Sequence, residues 1–298
     1  FQYVAIWAAQ RANARPAGLM VMLSVATAVL SALLDNVTTV LLVVPVTMLI
    51  VRELKLPAYP FLFAEIFASN IGGTATLIGD PPNILIGSLV GLTFNDFIIH
   101  LTPVIIVVMA VQLLMTHLVW GAKLVAADED RSRIMGMRAR DTIEDAVLLK
   151  QSIVVLSLVI LGFVVHKALH FEPATIAMTG AAILMLLDNW QHHAEKQSEN
   201  VHRTFSDVEW ITIVFFIGLF IVVHGVERSG LLKLLADRLV AATGGQLSTT
   251  GYAILWASAF LSAIIDNIPF VATMIPLIKS MAPAFGGDAA IQPLWWCL

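Results

Sequence analysis

Cysteine is nearly missing from this chain: Cys297 is the single one among 298 residues. No internal disulfide and no cysteine-based metal cluster can form. Charge is also scarce. Asp, Glu, Lys and Arg make up 13% of the residues, against about 25% in a soluble domain, a deficit too deep for a large buried core to explain. The net charge of −4 supplies no basic surface for nucleic acid. No GxxxxGK[ST] run occurs, so any coupling to ATP would have to come from a partner; HExxH and GxSxG are absent as well, which argues against an intramembrane enzyme. No signal peptide is visible, residue 1 is Phe, and the chain stops at Trp295-Trp296-Cys297-Leu298 without a polar tail; both ends are expected to be cut.

What is present is apolar. Hydrophobic residues reach 58% and the mean hydropathy is +0.86. Runs of about 18 or more apolar residues recur, each long enough to cross a bilayer. The sequence predicts an all-α, multi-pass protein of the cell inner membrane, not an enzyme, with membrane lipid as its surroundings. Residues 1–15 read as an interfacial helix with Arg11 and Arg15 on its polar side. Residues 17–51 are too long for one span and are interrupted by Asp35-Asn36-Val37-Thr38-Thr39, so they read as two helical pieces joined at a polar tip or break. The apolar run 58–69 meets Ser69-Asn70-Ile71-Gly72-Gly73-Thr74-Ala75-Thr76 and then Gly79-Asp80-Pro81-Pro82-Asn83. Two glycines and two prolines are costly inside an unbroken helix, so a discontinuous span is expected. Spans follow at about 101–120, 151–169, 173–187 and 210–226, an amphipathic stretch at 228–243, and a last apolar run at 252–282 broken at Asp266-Asn267-Ile268-Pro269. The polar segment 121–150 carries Lys123, Arg131, Arg133, Arg138, Arg140 and Lys150, which places it in the cytoplasm by the positive-inside rule. The segment 188–207, with His192, His193 and His202, reads as a second polar loop.

The chain repeats itself at an offset of 231. Residues 29–46 read VLSALLDNVTTVLLVVPV and residues 260–277 read FLSAIIDNIPFVATMIPL. Aliphatic identities mean little in apolar sequence. Ser31/Ser262, Asp35/Asp266, Asn36/Asn267 and Pro45/Pro276 matching in register mean much more. Duplicated halves with broken helices are a mark of secondary transporters, whose paired breaks hold substrate and coupling ion. The domain division read from this repeat is 1–120 (first repeat, N-terminal part missing), 121–150 (cytoplasmic linker) and 151–298 (second repeat, C-terminal part missing).

Asp35 and Asp266 lie inside apolar runs, where a charge costs at least about 2.5–3.5 kcal/mol on insertion scales. Ser31 and Asp35 are one helical turn apart, as are Ser262 and Asp266. Carboxylate, Asn carbonyl, hydroxyls (Thr38 and Thr39 included) and freed backbone carbonyls form an all-oxygen set suited to Na⁺ at Asp35, Asn36, Asp266 and Asn267, and protonation of the Asp would release the cation. Capping of a half-helix by Asp-Asn is the plainer reading, and the two roles can coexist. Asn70, Gly72, Gly73, Thr74 and Thr76 offer N–H groups and hydroxyls to a small anion, or Gly72-Gly73 is only a turn. Asp80 reads equally as a cap or a ligand ahead of Pro81-Pro82-Asn83. Glu65, also inside an apolar run, faces either the cavity or a neighbouring helix.

The run from Ser69 to Asn83, preceded by Leu34-Asp35-Asn36-Val37-Thr38-Thr39, resembles the ion transporter superfamily and, within it, the arsenical-pump/NhaD-type permeases with their citrate-transporter-like domain, relatives of the melanosomal P protein. Dicarboxylate symporters of that superfamily carry a Ser-Asn-Thr type motif where this chain has Asp35-Asn36-Val37. The resemblance implies an inverted-repeat transporter with re-entrant hairpins and discontinuous helices, built as a homodimer with an elevator-like transport domain. It implies a first ion site at Ser31, Asp35, Asn36 and the Gly72–Thr76 loop, and half of a second at Ser262, Asp266 and Asn267. The expected function is sodium/proton antiport or cation-coupled transport of a small anion, with sodium ion or proton as coupling ion and no other cofactor. The alternative is the membrane subunit of an arsenite efflux system, acting alone or with a soluble ATPase.

Overall fold

Helices form wherever the apolar runs are uninterrupted, and they stop at the polar and Gly/Pro punctuation. The computed structural model describes residues 2–143, 145–190 and 192–298, and the described residues hold helices and no strand. Among the described residues, five helical stretches are long and apolar enough to cross a membrane: Asn36–Glu53, Thr102–Gly121, Ala146–Leu169, Trp210–Arg228 and Asn267–Phe285. Pro16–Ser31, Pro173–Asn189 and Leu247–Leu261 are shorter apolar helices. The chain divides into two compact units, residues 1–80 with 93–207, and residues 81–92 with 208–298.

In the first unit, α1 (Gln2–Arg11), α2 (Pro16–Ser31), α3 (Asn36–Glu53) and α4 (Tyr59–Gly73) are joined by short turns. Pro16 opens α2 and Pro60 sits in the first turn of α4, positions where the missing N–H costs nothing. One buried cluster contains Leu19, Met20 and Leu23 from the start of α2, Val46, Ile50 and Val51 from the end of α3, and Phe61 and Ala64 from the start of α4. The start of one helix packed against the end of the next means the helices run antiparallel. α2 and α3 are therefore a helical hairpin with its tip at 32–35, and α4 runs back from the base to that tip. The polar interruption at Asp35 is a hairpin tip rather than a break within one helix.

The base of the hairpin is charged. α8 (Asp128–Gly136), within the polar segment 121–150, docks there. Lys55 Nζ lies 3.1 Å from Asp130 Oδ1, Arg133 also bonds Asp130 and reaches Glu53 at 3.7 Å, and Gln10 Nε2 donates to the Met137 carbonyl at 2.6 Å. Asp130 is almost wholly buried. The hydrogen bond from Lys55, reinforced by the Lys55 and Arg133 charges, outweighs burial and holds its carboxyl below the ordinary carboxylate range. Beside this base, Trp120 meets the rings of Tyr59 and Phe63 at 6.0 and 5.2 Å, an aromatic cluster of the kind found at membrane–water interfaces. α7 (Thr102–Thr116) packs along α4, while α9 (Ala146–Leu169) and α10 (Pro173–Asn189) pair through the close approach of Gly180 to Val159. The 188–207 segment differs from the expected loop: α11 (Ala194–Ser206) fills most of it, an amphipathic helix of polar residues.

The second unit holds α5 (Pro81–Val90), α12 (Trp210–Arg228), α13 (Leu231–Ala242), α14 (Leu247–Leu261), α15 (Asn267–Phe285) and α16 (Gln292–Trp295). α15 packs on α5 and α13, and Lys279 Nζ donates to the Leu89 carbonyl at the end of α5 at 2.6 Å. The helix starts follow the sequence repeat. Pro16 and Leu247 begin equivalent helices, and so do Asn36 and Asn267; both pairs stand 231 residues apart.

Candidate functional site

At the hairpin tip, the last turn of α2 closes with Ala32 N–H donating to Ala28 O, and α3 opens at Asp35. Asp35 caps α3: its Oδ1 accepts the Thr38 backbone N–H at 2.9 Å. Ser31 does not face solvent. It is wholly buried and donates to the Ser69 carbonyl on α4 at 2.7 Å. Asn36 Nδ2 donates to Asn70 Oδ1 at 2.9 Å, and Asn70 donates in turn to the Ile66 carbonyl at 3.0 Å. Thr76, in the 74–80 loop, donates to the Ala32 carbonyl at 2.6 Å and accepts the Gly79 N–H at 3.2 Å. These bonds lock the tip of the hairpin, the end of α4 and the loop after it into one cluster.

Glycine makes the cluster this tight. A Cβ on Gly72 would sit 2.2 Å from the Ala28 carbonyl oxygen, so the α2 and α4 backbones are in direct contact. A Cβ on Gly73 would meet Gly79 O at 2.5 Å, and one on Gly79 would meet Ser31 O at 2.6 Å. The sequence suggested that Gly72 and Gly73 lie in the broken part of the span. They lie instead inside the last turn of α4, and the break is the stretch 74–80. The helix keeps them because only residues without side chains permit this approach, the small-residue packing common between membrane helices.

The expected site residues thus separate into groups. Ser31, Asn36, Asn70, Gly72, Gly73 and Thr76 come together at the first tip, with Asp35 and Thr38 at the start of α3. Thr74 bonds back to the Asn70 carbonyl at 2.9 Å, and Asp80 ends the loop in a buried position. Asn83 is buried on α5, in the second unit. Ser262, Asp266 and Asn267 form the tip between α14 and α15, where Asp266 Oδ1 caps α15 by accepting the Ile268 N–H at 3.0 Å. Asp266 is exposed there, whereas Asp35 is half-buried.

One atom at the first tip is left over. Thr39 is fully buried, and among the described residues its hydroxyl has no hydrogen-bond partner. Thr39 stands four residues after Asp35, with its N–H on the Asp35 carbonyl at 3.0 Å. Buried hydroxyls are almost always bonded, and a ligand at the tip would supply the missing partner. Several structural contributors escaped the sequence reading: the Ser69 carbonyl and Gly79, whose roles are backbone roles, and Ser258, a buried hydroxyl without a partner near the second tip. No cluster of three or more His, Cys, Asp or Glu that could hold a metal occurs among the described residues. A cation at the tip would depend on a single carboxylate with neutral oxygens around it.

Long apolar helices, a hairpin ending in a capped carboxylate, and a glycine-packed polar cluster at its tip define a polytopic membrane protein. The chain belongs to the citrate transporter family (CitMHS), whose family model matches residues 1–298. An uncharacterized transporter of Mycobacterium tuberculosis is 45% identical over 299 residues, which cover 100% of this chain and 67% of that protein. A 46 kDa membrane protein of Mycobacterium leprae is 43% identical over 300 residues, with the same coverage of 100% and 67%. The human P protein is 30% identical over 384 residues, covering 100% of this chain and 44% of its own length. The chain spans about two thirds of the mycobacterial relatives it matches. It is a multi-pass membrane transporter.

Proposed function

We propose that this transporter is a secondary active one, in which a hard monovalent cation, sodium or a proton, binds at the Asp35 tip and drives a second solute. That solute is a proton in the antiport form, or a small anion in the coupled form. The family description makes citrate the first anion to test. The observation that carries the reading is the buried Thr39 hydroxyl, without a partner among the described residues, four positions after the Asp35 carboxylate that caps α3. Together with the Asn36–Asn70 amide pair, this is an oxygen-rich site in an apolar setting, which suits a monovalent cation. The tip at Asp266 is the second half of the same duplicated arrangement. Further parts of the proposal are the division into two repeats around a cytoplasmic linker, a homodimer, an elevator-like movement and placement in the inner membrane.

The test uses the full-length protein in proteoliposomes. An imposed sodium gradient is combined with a pH-sensitive dye, labelled citrate and arsenite in parallel. Sodium-dependent proton or citrate flux, abolished by Asp35→Asn with membrane insertion intact, is the expected result. Full activity in both Asp35→Asn and Asp266→Asn would remove the site assignment. Arsenite flux without sodium dependence would favour the arsenite efflux reading instead.

A further inference from the structure

Glu65 is the one acidic residue within α4, and it is 1% exposed. The Thr47 hydroxyl on α3 donates to its Oε1 at 2.5 Å, while Oε2 is buried with no hydrogen-bond partner among the described residues. Among the described residues Glu65 makes no ion pair. α2, α3 and α7 pack against α4. α2 and α7 carry no ionisable residue; on α3 the ionisable residues are Arg52 and Glu53 in its final turn, with Asp35 as its cap. Tyr59 begins α4, and His117 follows α7. An unpaired carboxylate in such surroundings is far more costly than a neutral acid. Glu65 is also placed to sense the tip. It lies one turn before Ser69 on the buried face of α4, and the Ser69 carbonyl receives the Ser31 hydroxyl.

We propose that Glu65 is a proton-binding site within the membrane, held by Thr47, and that its proton is released when a cation occupies the hairpin tip. Binding adds one proton to Oε2 and yields the neutral acid. Release sends that proton to solvent and leaves a carboxylate whose Oε1 keeps the Thr47 hydrogen bond. The proton site stands on its own geometry; its link to a cation rests on the function proposed above.

Infrared spectroscopy of the full-length protein in lipid, as difference spectra between neutral and alkaline pH and between samples with and without NaCl, tests both parts. The expected result is a protonated-carboxyl C=O band at neutral pH that weakens on adding NaCl. Glu65→Gln, which keeps the acceptor for Thr47, should lack the band while retaining the wild-type melting temperature. Thr47→Val should shift the band, and Asp35→Asn should keep it but remove its response to NaCl. An unchanged band in Glu65→Gln, or no such band in the wild type, overturns the proton site. If sodium drives transport while the band ignores NaCl, the linkage fails and the proposed function stands. If neither a sodium nor a proton gradient drives transport, the proposed function fails, and a band that titrates with pH and disappears in Glu65→Gln upholds the proton site alone.

Discussion

Replacing Gly72 with alanine tests whether backbone contact between α2 and α4 builds the site. The added carbon would lie 2.2 Å from the Ala28 carbonyl oxygen and 2.5 Å from its Cα, where ordinary contact begins at 3.4 Å. Both obstructing atoms are backbone, so no side chain can rotate away. The helices must separate by about 1 Å, and overpacking of this kind costs about 1–3 kcal/mol. The same shift carries the Ser31–Ser69 and Asn36–Asn70 hydrogen bonds, now 2.7 and 2.9 Å, past useful length. Gly218 is the matched control: it lies within α12, and a methyl added there would meet no atom within 4 Å. Alanine at that position gains up to about 1 kcal/mol of helix propensity. Thermal unfolding of the full-length protein in detergent, together with sodium-dependent flux in proteoliposomes, reads the difference. Gly72→Ala should melt lower and transport near background, whereas Gly218→Ala should melt at or above the wild-type temperature and transport normally. If the two variants behave alike, the close-packed origin of the site is wrong.

Asp35→Asn keeps an effective helix cap, while Asp35→Ala loses about 0.5–2 kcal/mol of capping; both should stop transport, and only the alanine variant should lower the melting temperature. Thr39→Val removes a buried hydroxyl that bonds to nothing, so stability should hold or rise slightly, while the sodium concentration needed for half-maximal flux should rise several-fold. Equal sodium dependence in Thr39→Val and wild type would take Thr39 out of the site. Asp130 sits below its ordinary value in the folded protein, so its stabilisation of the docked linker is complete above about pH 4, the unfolded range, and is lost as pH falls through the lowered folded value. Hydrogen exchange of 128–136 should therefore stay slow from neutral pH down to about pH 4 and quicken below it, with Lys55→Ala moving that onset upward.

The helices and their interruptions were legible because apolar runs, proline and the Asp-Asn pairs are local signals. The repeat put the two tips on an equal footing from the residues alone, and the matching helix starts at Asn36 and Asn267 agree with it. Three features were beyond local reading. Helix propensity alone ends α4 before Gly72, because the contact that favours glycine there comes from Ala28, 44 positions earlier. The Thr47–Glu65 pair needs the knowledge that α3 and α4 run antiparallel. The polar composition of 188–207 resembles a loop, and only the ordering of its few apolar residues reveals α11.

The way the site is built also bears on how it can open. Its geometry does not belong to the loop at 32–35, since Ser31, Asn36 and Thr76 all take their partners from another segment of the cluster. A change confined to that loop would break these bonds and gain nothing in return. Sliding α4 along α2 is obstructed as well, because Gly72 already touches the opposing backbone, and a residue bearing Cβ cannot take its place there. Packed interfaces of this density shift between discrete arrangements rather than deforming smoothly. In the elevator-like cycle proposed above, the least costly motion is therefore one that would move α2, α3 and α4 together, with the polar cluster intact. On that proposal Gly72→Ala should damage binding and movement alike.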